Sequence, residues 1–346
     1  MERRQTMKER PLDPAPTIGV PGMVERAVPV PRWLQAMREI RRRLESGLPV
    51  LLITPSVIAV LIFVYGFIGW TVYISMTRWN DVLPDYTFVG LRNYIGLFQT
   101  PRFQADIRNT IVFTTFFLLG AIVVGFFAAL LLDQRVKGET FFRSVFLFPM
   151  AISFIVTGIA WQWLFNPQTG VNLLLKHAGY SGPLPRWFTD PTIMFGVKMG
   201  AIQVGIPVAL IPVVIAATWQ LSGFTMAMYL AGLRGIPEEL REAARVDGAS
   251  EWQIYRYVVL PLLRPVTLSA LIVLGHISLK IFDLTVAMTG SGPGFATDMP
   301  AYFMFETTFR GNHFAQGAAI ATLMLLMVAA LIIPYLHYSL SRETEL

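Results

Sequence analysis

Five stretches of the chain contain no Asp, Glu, Lys or Arg: residues 46–77, 109–132, 144–175, 199–233 and 311–341. Each is longer than the ~20 apolar residues an α-helix needs to cross bilayer hydrocarbon. Backbone in that medium must satisfy its N–H and C=O groups internally, which confines such stretches to membrane helices. Composition agrees, because only 14% of the 346 residues are charged, against roughly 25% in soluble domains. The connecting segments are too short to hold a separate water-soluble domain. The expected architecture is an all-α, polytopic transmembrane bundle forming one unit over residues 48–346.

Spans are expected near residues 48–76, 109–132, 145–165, 205–233, 266–288 and 315–340, about six in all. As a single helix, residues 193–233 would run for about 60 Å, twice the hydrocarbon thickness. Two full spans there would move residues 234–264, with five basic side chains, to the outer face. One span is therefore expected, bent near Pro207 and Pro212 and preceded by an interfacial segment. With the N-terminus inside, the inner segments hold 19 of the 28 Lys and Arg. The outer ones hold seven: Arg78, Arg92, Arg102, Arg108, Lys176, Arg186 and Arg310. The positive-inside rule then puts both termini in the cytoplasm.

Ten of the basic residues precede residue 47, so the basic excess (28 against 22 acidic) marks topology and gives no reason to expect a nucleic-acid partner. Residues 1–47 are expected to form a cytoplasmic tail. Its first 31 residues carry six prolines and no hydrophobic period, as disordered segments do. Beyond them Trp33, Leu34, Met37, Ile40 and Leu44 recur at helical spacing against Arg38, Arg41, Arg42 and Arg43, an amphipathic helix suited to an anionic lipid surface. The first apolar run is too long and begins too late for a cleaved signal peptide. The cysteine count of zero excludes disulfides, thiolate nucleophiles and Cys-ligated metal. His177, His313 and His337 lack ligand spacing, so no metal site is expected. Gly290-Ser291-Gly292-Pro293-Gly294 lacks the Lys-Ser/Thr ending of a phosphate loop and is expected to be a turn. Trp161 and Trp163 suit an interfacial belt.

The segment between the fourth and fifth spans, residues 234–264, has its shape written into local chemistry. Pro237 suits a first helical turn and Glu238 and Glu239 complement the positive end of the dipole, so a helix should run to about Val246. Asp247-Gly248 should end it in a turn. Ser250 with Gln253 makes a capping box for a second helix, which Leu260-Pro261 and Pro265 then redirect into the fifth span.

Within this segment, Glu242-Ala243-Ala244, Gly248 four residues later and Leu260-Pro261 twelve residues after the glycine resemble the EAA loop of binding-protein-dependent ABC importer permeases. Val258 stands where that pattern usually has isoleucine. The longer run Glu242-Ala243-Ala244-Arg245-Val246-Asp247-Gly248-Ala249 resembles the carbohydrate branch. Phe88-Val89-Gly90-Leu91 with Asn93-Tyr94, Trp219, Gly223-Phe224, Ala231-Gly232-Leu233 and Gly292-Pro293 resemble further segments of the same family. Gly275-His276, Lys280-Ile281-Phe282-Asp283, Pro300-Ala301 and Phe303-Met304 are most similar to permeases of glucose- and mannose-type importers. The resemblance implies the type I importer permease fold in a prokaryotic cytoplasmic membrane. The implied partners are a similar second permease, two ATPase subunits that carry the ATP and Mg, and an extracytoplasmic sugar-binding protein. No catalytic residue or cofactor of the chain's own is implied. Coupling to the ATPase would fall to Glu242, Ala243, Ala244, Asp247, Gly248 and Ile254.

Polar residues inside spans are costly, at about 2.5–3.5 kcal/mol for a central charge, and should face protein or water. Trp219, Gln220, Ser222 and Thr225 in span four offer an aromatic platform and hydrogen-bonding groups for a sugar. Ser278, Lys280 and Asp283 in span five would extend that path, with Lys280 and Asp283 on one helical face as a pair. The same residues suit helix packing equally well. A stand-alone proton-coupled carrier using Lys280 and Asp283 is the alternative of a different class, although no inverted repeat is evident. An intramembrane enzyme is the weakest reading.

Overall fold

The computed structural model describes residues 52–134, 137–199 and 201–343. The expected N-terminal tail and its amphipathic helix lie outside the described residues. Along the chain come α1 (Leu52–Ser75), α2 (Arg92–Gln99), α3 (Pro101–Asp133), α4 (Glu139–Ala151), α5 (Phe154–Leu164) and α6 (Gly170–His177). A hairpin of β1 (Ile193–Met199) and β2 (Ile202–Pro207) precedes α7 (Ile211–Arg234). Then follow α8 (Glu238–Val246), α9 (Glu251–Leu262), α10 (Arg264–Leu279), α11 (Asp283–Met288), α12 (Pro300–Phe305) and α13 (Phe314–Glu343). Among the described residues, four helices are long and apolar enough to cross a membrane, or up to six if each of two bent pairs counts as one span.

The first and last spans stand where hydropathy put them, and the other four differ in instructive ways. α3 begins eight residues before the expected span, so Arg102 and Arg108, expected in a loop, are helical. Pro101 fits its first turn, where a missing N–H costs nothing. Span three is not one helix over 145–165. α4 and α5 meet at 100°, Ile152 is extended (φ −86°, ψ 141°), and the Ser153 side chain accepts the Val156 N–H to start α5 afresh. Pro149 weakens the ladder just before the break.

The expected interfacial segment before span four is a β-hairpin, a departure from the all-α expectation. Ile193, Val197, Ile202, Val204 and Ile206 favour extended backbone, and the strands pair Met194 with Ile206, Val197 with Val204 and Lys198 with Gln203. Pro207 ends β2, and span four proper begins at Val208. Span five is bent by 60° between α9 and α10, stops at Leu279 and resumes as α11.

The centre of the bundle is the seam between α3 and α7, which run side by side. Gly120 faces Thr218, and Gly125 lets the backbone of α3 approach the Thr225 side chain and the Met226 N–H, where a Cβ would collide. In the space so created the Thr225 hydroxyl donates to the Ala121 carbonyl at 2.7 Å. Close packing of small residues is what binds helices in lipid, where water supplies no drive between them. Phe113, Phe117 and Ala121 pack with Leu210, Val213 and Ala217 toward one end of the seam. Ala129 and Leu132 pack with Met226, Tyr229 and Leu233 toward the other.

Candidate functional site

The elbow after α7 forms as its residues require. α8 ends in a Schellman arrangement. The Gly248 N–H bonds to the Arg245 carbonyl and the Ala249 N–H to the Ala244 carbonyl, both at 3.0 Å. Gly248 sits at φ +83°, open to a glycine and strained for most side chains. The capping box is present: the Gln253 side chain accepts the Ser250 N–H at 2.7 Å while the Ser250 hydroxyl accepts the Gln253 N–H at 3.4 Å. Arg245 ties α8 to α9 through Glu251 (2.9 Å) and braces its own helix through Glu238 (3.2 Å), and hydrogen bonds to these two carboxylates raise its guanidinium pKa above the ordinary value.

Of the six expected coupling residues, Glu242, Ala243, Asp247 and Gly248 are exposed, and Ala244 is half-buried. Glu242 makes no ion pair among the described residues. Val246, 86% exposed, and Trp252, 71% exposed, extend the apolar part of this surface. Ile254 differs: it is buried with Leu233, Val259 and Leu263, so it anchors the elbow to the bundle and presents nothing outward.

The base of α8 is held by charge. Arg241 lies 3.3 Å from Asp133 at the end of α3, both side chains 13% exposed, and donates to the Leu233 carbonyl at 3.3 Å. Arg234 pairs with Glu139 at 2.6 Å. A cavity of about 810 Å³ opens here, lined by Asp133, Glu139, Arg234, Ile236, Glu238 and Arg241.

The expected path residues divide. Trp219 and Ser222 line a largely apolar cavity of about 770 Å³ with Phe146, Pro149, Trp161 and Thr218, and the Trp161 and Trp219 rings meet edge to face at 5.7 Å. Gln220 is buried and donates to the Ile152 carbonyl at 2.7 Å, occupying a group that the break between α4 and α5 sets free. Thr225 is held by Ala121 as above. Ser278 is buried, donating to the Gly275 carbonyl (2.8 Å) and accepting from Thr114 (2.9 Å). Lys280 and Asp283 are both exposed and do not form the expected pair, because the helix stops at Leu279 and restarts at Asp283. Non-helical backbone within a membrane span is tolerated only against protein or a watery cavity.

Sequence reasoning missed a second charged centre. Arg102 reaches Asp298 at 2.5 Å and Glu306 at 2.6 Å, with the Phe303 ring 4.5 Å from its guanidinium. Asn109 donates to the Phe295 and Asp298 carbonyls, both at 2.8 Å, and Arg108 donates to the Gln203 carbonyl in the hairpin at 2.8 Å. Asp106 is fully buried beside them, its carboxylate oxygens without a hydrogen-bond donor among the described residues. The polar first turns of α3 carried a signal, since Arg102, Asp106 and Asn109 share one helical face.

Residues 121–345 match the family described as binding-protein-dependent transport system inner membrane component. The chain is 41% identical over 305 residues to a probable ABC transporter permease protein of Pyrococcus horikoshii, covering 88% of this chain and 99% of that one. It is 36% identical over 280 residues to the xylose/arabinose import permease protein XacH of Haloferax volcanii, covering 80% and 83%. A solved bacterial alginate ABC transporter, in complex with alginate pentasaccharide-bound periplasmic protein, has a chain similar at TM-score 0.64 and 21% identity, covering 84% of this chain and 94% of that one. At that identity the likeness is one of fold.

Proposed function

The chain belongs to the family of binding-protein-dependent transport system inner membrane components, and from that premise we propose that it is a translocation subunit of an ATP-driven sugar importer. It works in a prokaryotic cytoplasmic membrane with both termini inside, beside a second permease, two ATPase subunits and an extracytoplasmic sugar-binding protein. The observation that carries this reading is the elbow: Glu242, Ala243 and Gly248 lie exposed on a short, capped helix pair rooted in the bundle by Ile254 and Arg241. Small side chains at 243 and 248 let a partner's groove close on the helix, and the exposed Glu242 offers it a carboxylate. ATP is hydrolysed in the partner subunits, and this chain converts their closure into movement of its spans.

The substrate is a monosaccharide such as glucose or mannose, or a small oligosaccharide. Trp219 and Ser222, with Trp161, supply the aromatic and hydroxyl surface on its path, and the exposed Lys280 and Asp283 flank the break in span five. Gln220, Thr225 and Ser278 hold the helices that form that path. Relatives whose names give xylose and arabinose in one case and trehalose and maltose in another support sugar as the class. The separation of Lys280 from Asp283 by a helix break counts against the proton-coupled carrier.

Co-purification tests the reading. An ATPase recovered with the full chain and lost on deleting residues 238–254 supports it. Sugar uptake abolished by a proton ionophore and indifferent to ATP contradicts it.

A further inference from the structure

α3 combines two features. It is continuous over 33 residues, about 50 Å at 1.5 Å per residue, which exceeds the whole bilayer including its headgroup layers (~40–45 Å). The broken spans three and five, by contrast, turn by 100° and 60°. α3 is also gripped by ion pairs at both ends, from segments more than a hundred residues away. At its last residue Asp133 holds Arg241 of α8, the helix that carries Glu242 and Ala243. In its first turn Arg102 holds Asp298 and Glu306, and Asn109 one turn and more further on holds two carbonyls of the same segment. Between these ends α3 is interlocked with α7 through Gly125, Thr225 and the carbonyl of Ala121.

We propose that α3 is the rigid rod that carries displacement of the α8 elbow across the bilayer to residues 293–310, with Arg241, Asp133 and Arg102 as its positioning residues. The inference rests on the coupling role given to the elbow above and adds the route by which the movement travels. A continuous helix transmits a shift along its length, whereas a broken one absorbs it at the break. Ion pairs with little access to water resist separation as well as compression, so the rod is both pushed and pulled. The cavity of about 810 Å³ beside Arg241 leaves α8 room to move against the bundle, so that without the Asp133 contact the elbow would shift and α3 would stay. α7 is joined to the elbow directly through Gly235–Pro237, but it begins at the hairpin, and it is the first turn of α3 that grips residues 298 and 306.

The test uses the whole complex reconstituted in vesicles. The chain has no cysteine, so Phe309→Cys, at a position 66% exposed, gives one thiol reporter on the far segment of this subunit. In the otherwise unsubstituted complex, ATP binding is expected to change the labelling rate of that thiol. Arg241→Gln and Asp133→Asn are expected to lower the sugar moved per ATP hydrolysed roughly tenfold, equivalent to ~1.4 kcal/mol, and to remove the ATP-dependent change at position 309. The exchange Arg241→Asp with Asp133→Arg should restore both readouts. Arg102→Gln should leave the ATPase assembled and active but remove the change at 309. A stably assembled Arg241→Gln complex that keeps its transport ratio and its response at 309 overturns the rod, as does an exchange variant that assembles and restores neither. An unsubstituted complex in which ATP drives no uptake overturns the coupling reading itself, which separates the two failures.

Discussion

Gly248 offers the sharpest quantitative handle on the elbow, because the backbone and steric contributions there separate. Its φ of +83° belongs to the left-handed region, which costs a residue with a Cβ roughly 1–2 kcal/mol. Nothing in this chain lies within 4 Å of where that Cβ would be, so alanine adds no collision of its own. The ratio of correctly bent to unbent elbow should fall by a factor of about 5–30, with the hydrogen bonds that close α8 weakened together. Asparagine, which tolerates this conformation, should fall less. Tryptophan pays the same backbone cost but also projects a ring into the surface that the ATPase is proposed to cover. The assay is ATP-dependent sugar uptake by the reconstituted complex, with membrane insertion and ATPase co-purification measured beside it. The expected order is Gly248→Asn above Gly248→Ala, with Gly248→Trp inactive and inserted normally. Normal uptake by Gly248→Trp refutes the docking argument. Equal and complete loss in alanine and tryptophan shows that conformation alone decides, and removes the steric part of it.

Packing and charge set the remaining outcomes. Gly125→Leu forces a side chain into the Thr225 side chain and the Met226 backbone and should destabilise the bundle by about 1–3 kcal/mol, read as a lower melting temperature of the purified complex, whereas Gly120→Ala, which meets the Thr218 side chain and no backbone atom, should be milder. Trp219→Ala should raise the half-saturation for sugar roughly tenfold if the ring supplies ~1.4 kcal/mol. Thr225→Val, whose hydroxyl is engaged by Ala121, should cost about 1 kcal/mol of stability and leave the half-saturation unchanged; the reverse pattern in uptake kinetics would reassign the two residues. Burial pushes the Glu306 carboxyl up, but the Arg102 and Tyr302 hydrogen bonds outweigh it and hold the pKa below the ordinary glutamate value. The stabilisation is thus fully present above about pH 4.3 and is lost as pH falls through the lowered pKa. The melting-temperature gap between the unsubstituted complex and Glu306→Gln should stay constant from about pH 7 to pH 5 and close only below that range.

How far the sequence disclosed this arrangement depended on the range of each signal. The elbow was legible because its determinants are local: Pro237 before the first turn, Gly248 at the positive φ, and Ser250 with Gln253 closing the capping box. The break in span three was not read, because hydropathy averages over a window and is blind to direction. Pro149 and Ser153 were the residues to weigh, the one weakening a helix and the other starting the next. Pairing Lys280 with Asp283 presupposed a continuous helix that the backbone at residues 280–282 interrupts. Counting Arg102 and Arg108 as loop charges followed from treating charge as the mark of a loop. Their compensation comes from Asp298 and Glu306, some 200 residues on, and from a hairpin carbonyl. Contacts between distant segments leave no periodicity behind them. For the same reason the Arg241–Asp133 tie was invisible from residue 241, which in sequence is simply one more basic residue beside an acidic one.

The central claim is that the α8 surface seats an ATPase subunit on the cytoplasmic side. Ala243→Cys in this cysteine-free chain, exposed on that surface, puts the claim to a direct test by zero-length and short-span thiol cross-linking in the assembled complex. The account predicts a cross-link to the ATPase, with a yield that changes between nucleotide-free and ATP-bound states, and labelling by a membrane-impermeant reagent only in inverted vesicles. Labelling of the Ala243→Cys thiol from outside intact cells, with no cross-link to any nucleotide-binding subunit, would contradict it.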